Sequence, residues 1–233
     1  VNTYMNSSGL YKNNYGMVNI NSAFAALDEY GRVYTWGDAS KGGITQDGSY
    51  VTVETVDGPR DLTNIVQIYS TAGAFAALDS SGYVYALGDI SYGGFGQNNS
   101  TTQATTVHTG TNASAIENII QIYSTNRAFA ALDSSGKVYA WGDQYAGGFG
   151  SDSKTVATRV TISGGILDNI VQIYSTERAF AALDKDGYVY AWGSKNTGGF
   201  GSNSETQATR VHIGTDVSYI SDIVQIYSTD YAF

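Results

Sequence analysis

One hexapeptide governs what this chain can fold into. Ala-Phe-Ala-Ala-Leu-Asp recurs at Ala23–Asp28, Ala74–Asp79, Ala128–Asp133 and Ala179–Asp184, and a fifth copy opens at Tyr231–Phe233. Its phenylalanines, Phe24, Phe75, Phe129, Phe180 and Phe233, stand 51 to 54 residues apart. A period of that size in 233 residues means one supersecondary unit, repeated about four times, whose copies bury their apolar faces against one another. The expected units are 23–73, 74–127, 128–178 and 179–230. Residues 1–22 are read as a partial blade and 231–233 as the start of a truncated further repeat.

Each unit has the same grammar. AFAAL is followed by a D-x-x-G turn, then V-Y-x-W-G, a Gly-Gly-Phe-Gly loop, a Thr-rich polar stretch and I-V-Q-I-Y-S-T. Asp79-Ser80-Ser81-Gly82 puts a turn-starting Asp first and a φ-permissive Gly last, as a hairpin with a type I turn and a glycine bulge requires. Gly31, Gly136 and Gly187 close the same turn in the other units. Four strands per unit follow: Phe75–Leu78, Tyr83–Leu87, a weaker one near Ala104–Thr109, and Ile119–Tyr123. In Val138-Tyr139-Ala140-Trp141 both alternating faces are largely apolar, so the strand belongs to a sheet covered on both sides. The small Ala residues of AFAAL let neighbouring sheets approach while Phe fills the gap. The pattern predicts an all-β, β-propeller-type array of four-stranded antiparallel blades, because a helical repeat would need a 3.6-residue period that is missing.

Composition narrows the partners. Lys and Arg total 12 against 21 Asp and Glu, a net charge of −9, which opposes a phosphate backbone or an anionic membrane surface. Only 14% of residues are charged while 42% are hydrophobic, so solubility rests on Asn, Ser, Thr and Gly. Without Cys, disulfides and thiolate metal sites are excluded. No apolar run reaches the roughly 18–20 residues of a membrane helix. The chain begins with Val rather than Met and shows no secretory signal, so it is expected to be trimmed, processed or incomplete.

The pattern A-x-x-A-L-x-x-x-G-x-V-Y-x-W-G, followed by a Gly-rich loop, resembles the repeat of the regulator of chromosome condensation family from about Met17 to Phe233. The resemblance implies a propeller, seven-bladed in the founding members, and a founder that exchanges nucleotide on a small nuclear GTPase and docks on nucleosomes. The departures are several. The loop is Gly-Gly-Phe-Gly at Gly93–Gly96, Gly147–Gly150 and Gly198–Gly201, and Gly42-Gly43-Ile44-Thr45 in the first unit. Thr-Gln-Ala-Thr at Thr102–Thr105 and Thr206–Thr209 stands where the family has a proline. No basic tail or long inserted hairpin is present to carry the founder's activities. The Ala and Gly-Gly variety looks more like repeats of large microbial proteins at surfaces or outside the cell.

Repeat logic separates architecture from function: a residue that recurs in every unit serves folding, and one that varies at a loop is the better contact. Trp36, Trp141 and Trp192 could form a sugar-stacking array, but Leu87 at the matching position argues for packing with Phe24, Phe75, Phe129 and Phe180. Asp38, Asp89 and Asp143, with Ser194 in the fourth unit, are expected to bond loop backbone; Asp28 and Asp38 lie at opposite ends of a strand, too far apart for a glycosidase pair. Asp184-Lys185-Asp186-Gly187 begins like a calcium loop but lacks the later Glu. His108 and His212 occupy matching Val-His-x-Gly places, where Glu54 and Thr161 are aligned in the other units, and no further metal ligands are spaced to join them. The Gly-Gly-Phe-Gly loops have no Lys-Ser/Thr after them and are tight turns with a Phe plug rather than phosphate cradles. Asn-x-Ser/Thr acceptors at Asn6, Asn98, Asn99 and Asn112 matter only on a eukaryotic secretory route. The turns after I-Y-S-T do vary, and Arg127, Glu177, Arg178 and Asp230 are the candidate partner contacts on one rim.

These readings converge on a non-enzymatic scaffold with no cofactor and no metal, which self-associates or binds a protein partner through its blade ends and rim loops. A cell surface or extracellular assembly is the expected location, with the cytoplasm as the alternative. Two other functions stand beside it: nucleotide-exchange regulation of a small GTPase, as the resemblance implies, and a multivalent carbohydrate-binding propeller. Nucleic acid and membrane insertion are not expected.

Overall fold

Val and Tyr alternate in the VYxWG strand, AFAAL supplies its partner, and the D-x-x-G turn fixes their register. In the computed structural model, which describes residues 4–5, 11–12, 18–20, 23–44, 49–53, 57–94, 103–110, 114–149, 156–201, 204, 206–213 and 218–233, this hairpin recurs four times. Ala128–Asp133 pairs antiparallel with Val138–Gly142, Phe129 opposite Trp141 and Leu132 opposite Val138. The Asp133 carboxylate accepts the backbone N–H of Ser135 and of Lys137, and Gly136 N donates to Asp133 O at 3.1 Å, which closes the turn. Asp28, Asp79 and Asp184 do the same in their own units.

Three sheets have four strands in one order. Ile119–Ser124, Ala128–Asp133, Val138–Gly142 and Thr158–Arg159 form one. The sheets containing Ala74–Asp79 and Ala179–Asp184 match it, with Ile65–Ser70 and Ile170–Ser175 at one edge and Thr105–Thr106 and Thr209–Arg210 at the other. Ahead of them Tyr4–Met5, Tyr11–Lys12 and Val18–Ile20 extend the hairpin Ala23–Leu27 and Val33–Gly37 into a five-stranded sheet. The fold is thus an all-β, propeller-type array of antiparallel sheets.

The phase of the repeat differs from the expected one. The residue pattern puts Ile119–Ser124 at the end of the preceding blade, but the strand hydrogen-bonds to Ala128–Asp133 and opens the next sheet. A unit cut at AFAAL, such as 74–127, therefore takes three strands from one sheet and the first strand of its neighbour. The cause is local: a short S-T-x-x turn joins IYS to AFAAL, whereas the polar stretch separates it from the strand before.

Packing alternates by face. Phe129, Ala131 and Trp141 meet Ala74, Ala76, Leu78, Val84 and Ala86 of the preceding sheet, while Ala128, Ala130, Leu132, Val138 and Ala140 meet Phe180, Ala182 and Trp192 of the next. Each junction is an aromatic face on a small-residue face. Trp141 and Trp192 are fully buried, stacked or tilted on Phe129 and Phe180 at ring-centroid distances of 5.3 and 5.4 Å, and each indole N–H donates to a carbonyl of the preceding sheet, Gly93 O and Gly147 O. No face is left for a sugar to stack on either indole.

Backbone bonds also link the sheets. Ile119 N donates to Gly82 O and Ile170 N to Gly136 O, so each D-x-x-G turn sits against the start of the next sheet's IYS strand. Gly136 has φ +82°, and a Cβ there would lie 2.9 Å from Asn169 Cα, so the position needs glycine for conformation and for space.

Candidate interaction rim

The S-T turns and the Gly-Gly loops gather on one face of the array, because Gly142 pairs with Ala128 at the same end of the hairpin. Asp143 begins the loop: its carboxylate caps a three-residue 3-10 helix, Gln144–Ala146, by accepting Tyr145 N–H, and Gly147 ends it in the left-handed region. Asp38 and Asp89 cap Ala39–Lys41 and Ile90–Tyr92 identically, while Ser194 heads Lys195–Thr197 without a side-chain cap. These carboxylates serve loop backbone, as expected. The Ser40 hydroxyl and N–H hold the Asp38 carboxyl below its ordinary value. The Thr of each S-T turn ties it to that helix, Thr125 Oγ1 donating to Ala146 O at 2.8 Å and Thr176 Oγ1 to Thr197 O at 2.6 Å.

Between these turns runs a chain of backbone bonds that the residue pattern did not reveal. Ala72 N donates to Asn126 O, Asn126 N to Glu177 O and Glu177 N to Asp230 O, at 2.8 to 2.9 Å. Only main-chain atoms take part, so the side chain at this position is free to vary. Variation at Glu177 and Asp230 therefore has a structural cause independent of any partner. Glu177 is half-buried and Asp230 exposed.

Arg127 and Arg178 follow in equivalent positions, each with its carbonyl accepting the N–H of the loop-capping residue, Asp143 or Ser194. Their guanidiniums differ. Arg127 Nη1 lies 3.3 Å from Asp143 Oδ2, and its Cζ sits 4.6 Å from the Tyr92 ring centroid. Lys41 approaches the same ring at 4.5 Å and reaches Asp89 at 2.8 Å. Burial raises the Asp89 carboxyl pKa, but the Lys41 ammonium and the Ser91 N–H outweigh it and hold the group below its ordinary value. This network spends Arg127 inside the fold. Arg178 has Ser194 in place of Asp143 and Ala146 in place of Tyr92, and among the described residues it makes no ion pair; Nε is buried without a hydrogen bond in both arginines, so the difference lies in the ion pair and the ring. Sequence comparison of the loops could have found this, since Asp143/Ser194 and Tyr92/Ala146 are the paired signals.

The remaining candidates lie elsewhere. His108 and His212 are half-buried; His108 Nδ1 is 2.8 Å from Gly110 O, and the His212 ring meets Phe200 edge-on. Their equivalent in the first unit is Thr52, not Glu54, because Thr52 O, His108 O and Thr161 O each accept the N–H of an alanine in the next unit. Among the described residues no group of three His, Asp or Glu could hold a metal ion. A cleft of about 420 Å³ lined by Tyr190, Arg210, His212 and Tyr219 recurs as one of about 370 Å³ at Tyr139 and Arg159. Arg210 already fills the former, 3.2 and 4.4 Å from the Tyr188 and Tyr219 ring centroids. Glu54, Phe95, Gly96, Gly150, Thr102 and the glycosylation acceptors Asn6, Asn98, Asn99 and Asn112 lie outside the described residues.

No protein-family model matches the chain. It is 26% identical over 181 residues to the human E3 ubiquitin-protein ligase HERC2, covering 75% of this chain and 4% of that one. To protein pim1 of Schizosaccharomyces pombe it is 28% identical over 191 residues, covering 72% and 34%. Among solved structures it is similar to Prp20p of Saccharomyces cerevisiae, described with its binding to Gsp1p and histones, at TM-score 0.55 and 17% identity over 86% of this chain and 51% of that one. Yeast RCC1 (Prp20) bound to Kap60 gives 0.56 at 22%, over 86% and 50%, and human WBSCR16 gives 0.57 at 19%, over 83% and 50%. The chain thus spans about half or less of each relative, and the structural likeness is one of fold.

Proposed function

We propose that this array of regulator of chromosome condensation-type repeats is a protein-binding scaffold whose S-T rim receives an acidic side chain of its partner on Arg178. One observation carries this reading: a half-buried arginine stands on the rim without the carboxylate and the aromatic ring that hold its counterpart Arg127. A desolvated, unpaired guanidinium gains most from a carboxylate brought by a partner, in the bidentate geometry that Arg favours. The fold likeness to Prp20p, whose structure is described with its binding to Gsp1p, supports a small GTPase as the first partner class to test. A regulatory role by nucleotide exchange is the finer form of this proposal. Neither the rim geometry nor the relatives lend support to an adhesive or extracellular role.

Biolayer interferometry of immobilised chain against Gsp1p, Kap60 and histones tests the proposal. Binding of at least one is expected, with Arg178→Ala weakening it about tenfold or more, as loss of a desolvated charge-assisted contact does. Lys185→Ala, at an exposed D-x-x-G turn on the opposite face, leaves it within about twofold. Binding equally sensitive or insensitive to both substitutions, or no binding to any of the three, overturns the reading.

A further inference from the structure

An apolar side chain stands in water at the same place in three successive sheets. The I-V-Q-I-Y-S strand is the edge strand of each four-stranded sheet, and each copy carries a β-bulge at its second residue. Ile65 pairs with Asp79 and Gln67 with Leu78, which leaves Val66 as the extra residue; Ile120 and Val171 are its equivalents. A bulge re-aims one side chain away from the pleat. Val66, Ile120 and Val171 are 56%, 57% and 54% exposed, while the isoleucine before each of them is buried.

Ile119–Ser124 packs between Ile65–Ser70 and Ile170–Ser175, so the three residues form a row that runs from sheet to sheet. Ile120 has a sheet on either side of it, and its exposure belongs to the interior of the array. The bulge already blunts the edge strand against stray pairing, so no apolar side chain is required there. Strand propensity asks only for branching at Cβ, which Thr supplies without showing as much hydrocarbon to water.

Charge decides what the row takes. The bulges lie at the D-x-x-G end of the sheets, since Ile119 N donates to Gly82 O and Asn118 O accepts Ser134 N–H. Glu117 and Asp168 stand three residues ahead of Ile120 and Val171, exposed and, among the described residues, without an ion pair. Glu29 and Asp186 are exposed in turns of the same face, beside the exposed Lys185. On the S-T face, by contrast, Asp89 and Asp143 are paired with Lys41 and Arg127. In a chain of net charge −9, an apolar row edged by unpaired carboxylates repels an anionic membrane and a second copy of itself. It complements a segment in which Lys or Arg accompany apolar side chains.

We infer that the row of Val66, Ile120 and Val171 docks a basic, apolar-bearing polypeptide segment of a partner protein, with its apolar side chains on the row and its cations at Glu117 and Asp168. The contact lies on the face opposite Arg178, so it is separate from the rim contact proposed above and does not depend on it.

Fluorescence anisotropy of a dye-labelled peptide of alternating Lys and Leu, titrated with the 233-residue chain, tests this. Saturable binding that weakens as salt rises is expected. Peptides of alternating Lys and Ser, or of alternating Glu and Leu, bind about tenfold more weakly or not at all, because each lacks one half of the contact. The triple variant Val66→Thr, Ile120→Thr, Val171→Thr keeps its branching at Cβ and its melting temperature, and loses about tenfold or more in affinity with the apolar contact. Glu117→Gln combined with Asp168→Asn loses about threefold or more and flattens the salt dependence. Arg178→Ala leaves this binding within about twofold, as distant sites act independently, which separates it from the rim. No binding of the Lys and Leu peptide, equally tight binding of the Lys and Ser peptide, or binding indifferent to either the triple or the double variant overturns the inference. Self-association of the chain that the triple variant abolishes also overturns it, by assigning the row to a second copy.

Discussion

At the scale of single residues, the repeated positions divide into those that fix backbone and those that fill space, and glycine marks the first kind. Gly136 holds φ +82° and admits no Cβ, whereas Gly165 has nothing within 4 Å of where a Cβ would stand. Gly136→Ala is expected to cost about 2 kcal/mol or more, left-handed strain plus overpacking, and to lower Tm by roughly 4–8 °C. Gly165→Ala is expected to stay within about 0.5 kcal/mol, and thermal melts followed by circular dichroism at 215 nm check both. The D-x-x-G turn was legible because Asp and Gly each have one physical reason to stand where they do. The residue that each turn docks on was not. Asn64, Asn118, Asn169 and Asp222 all adopt φ near +60°, and their signal was present as an Asn or Asp before every Ile of the IYS strand. A single Asn in a polar stretch has many readings, and only its recurrence beside a turn glycine of another sheet gives it meaning.

At the scale of elements, the hairpins could be read from the chain because both strands and their turn are contiguous. The assignment of IYS could not, since an unbroken repeat looks the same wherever it is cut. Hydrogen bonding to the strand after it, across the tight S-T turn, decides the phase. The 3-10 loops show the same limit: Asp38, Asp89 and Asp143 were recognisable as backbone-bonding carboxylates, but the ion pair of Asp143 with Arg127 required the fold. Restoring the missing carboxylate by Ser194→Asp gives the fourth loop its cap and Arg178 a partner. It is expected to stabilise the chain by about 0.5–1 kcal/mol, the worth of a good cap, measured by urea unfolding. The same substitution should weaken partner binding as strongly as Arg178→Ala does. Stabilisation without loss of binding would separate the cap from the proposed contact.

At the scale of the whole molecule, stability is a sum over sheet junctions, and each junction buries tyrosines beside its aromatic-on-alanine core. Tyr69 is pushed up to about 12 by burial, which disfavours the phenolate. Tyr85, Tyr123, Tyr139 and Tyr190 are raised for the same first cause, with Asp79 and Asp184 adding repulsion at Tyr85 and Tyr190. A folded-state pKa raised above the unfolded one contributes stability that is complete below the unfolded value, 10.0, and is lost as pH climbs through the folded value. The alkaline limit of the fold therefore falls between about pH 10 and 12, with several tyrosines ionising together as the junctions open. Absorbance at 295 nm and circular dichroism should change in one shared transition there, and Tyr69→Phe should move its midpoint upward. Phenolate appearing well below that transition, with the sheets intact, would place these hydroxyls in water and contradict the packing of one blade against the next.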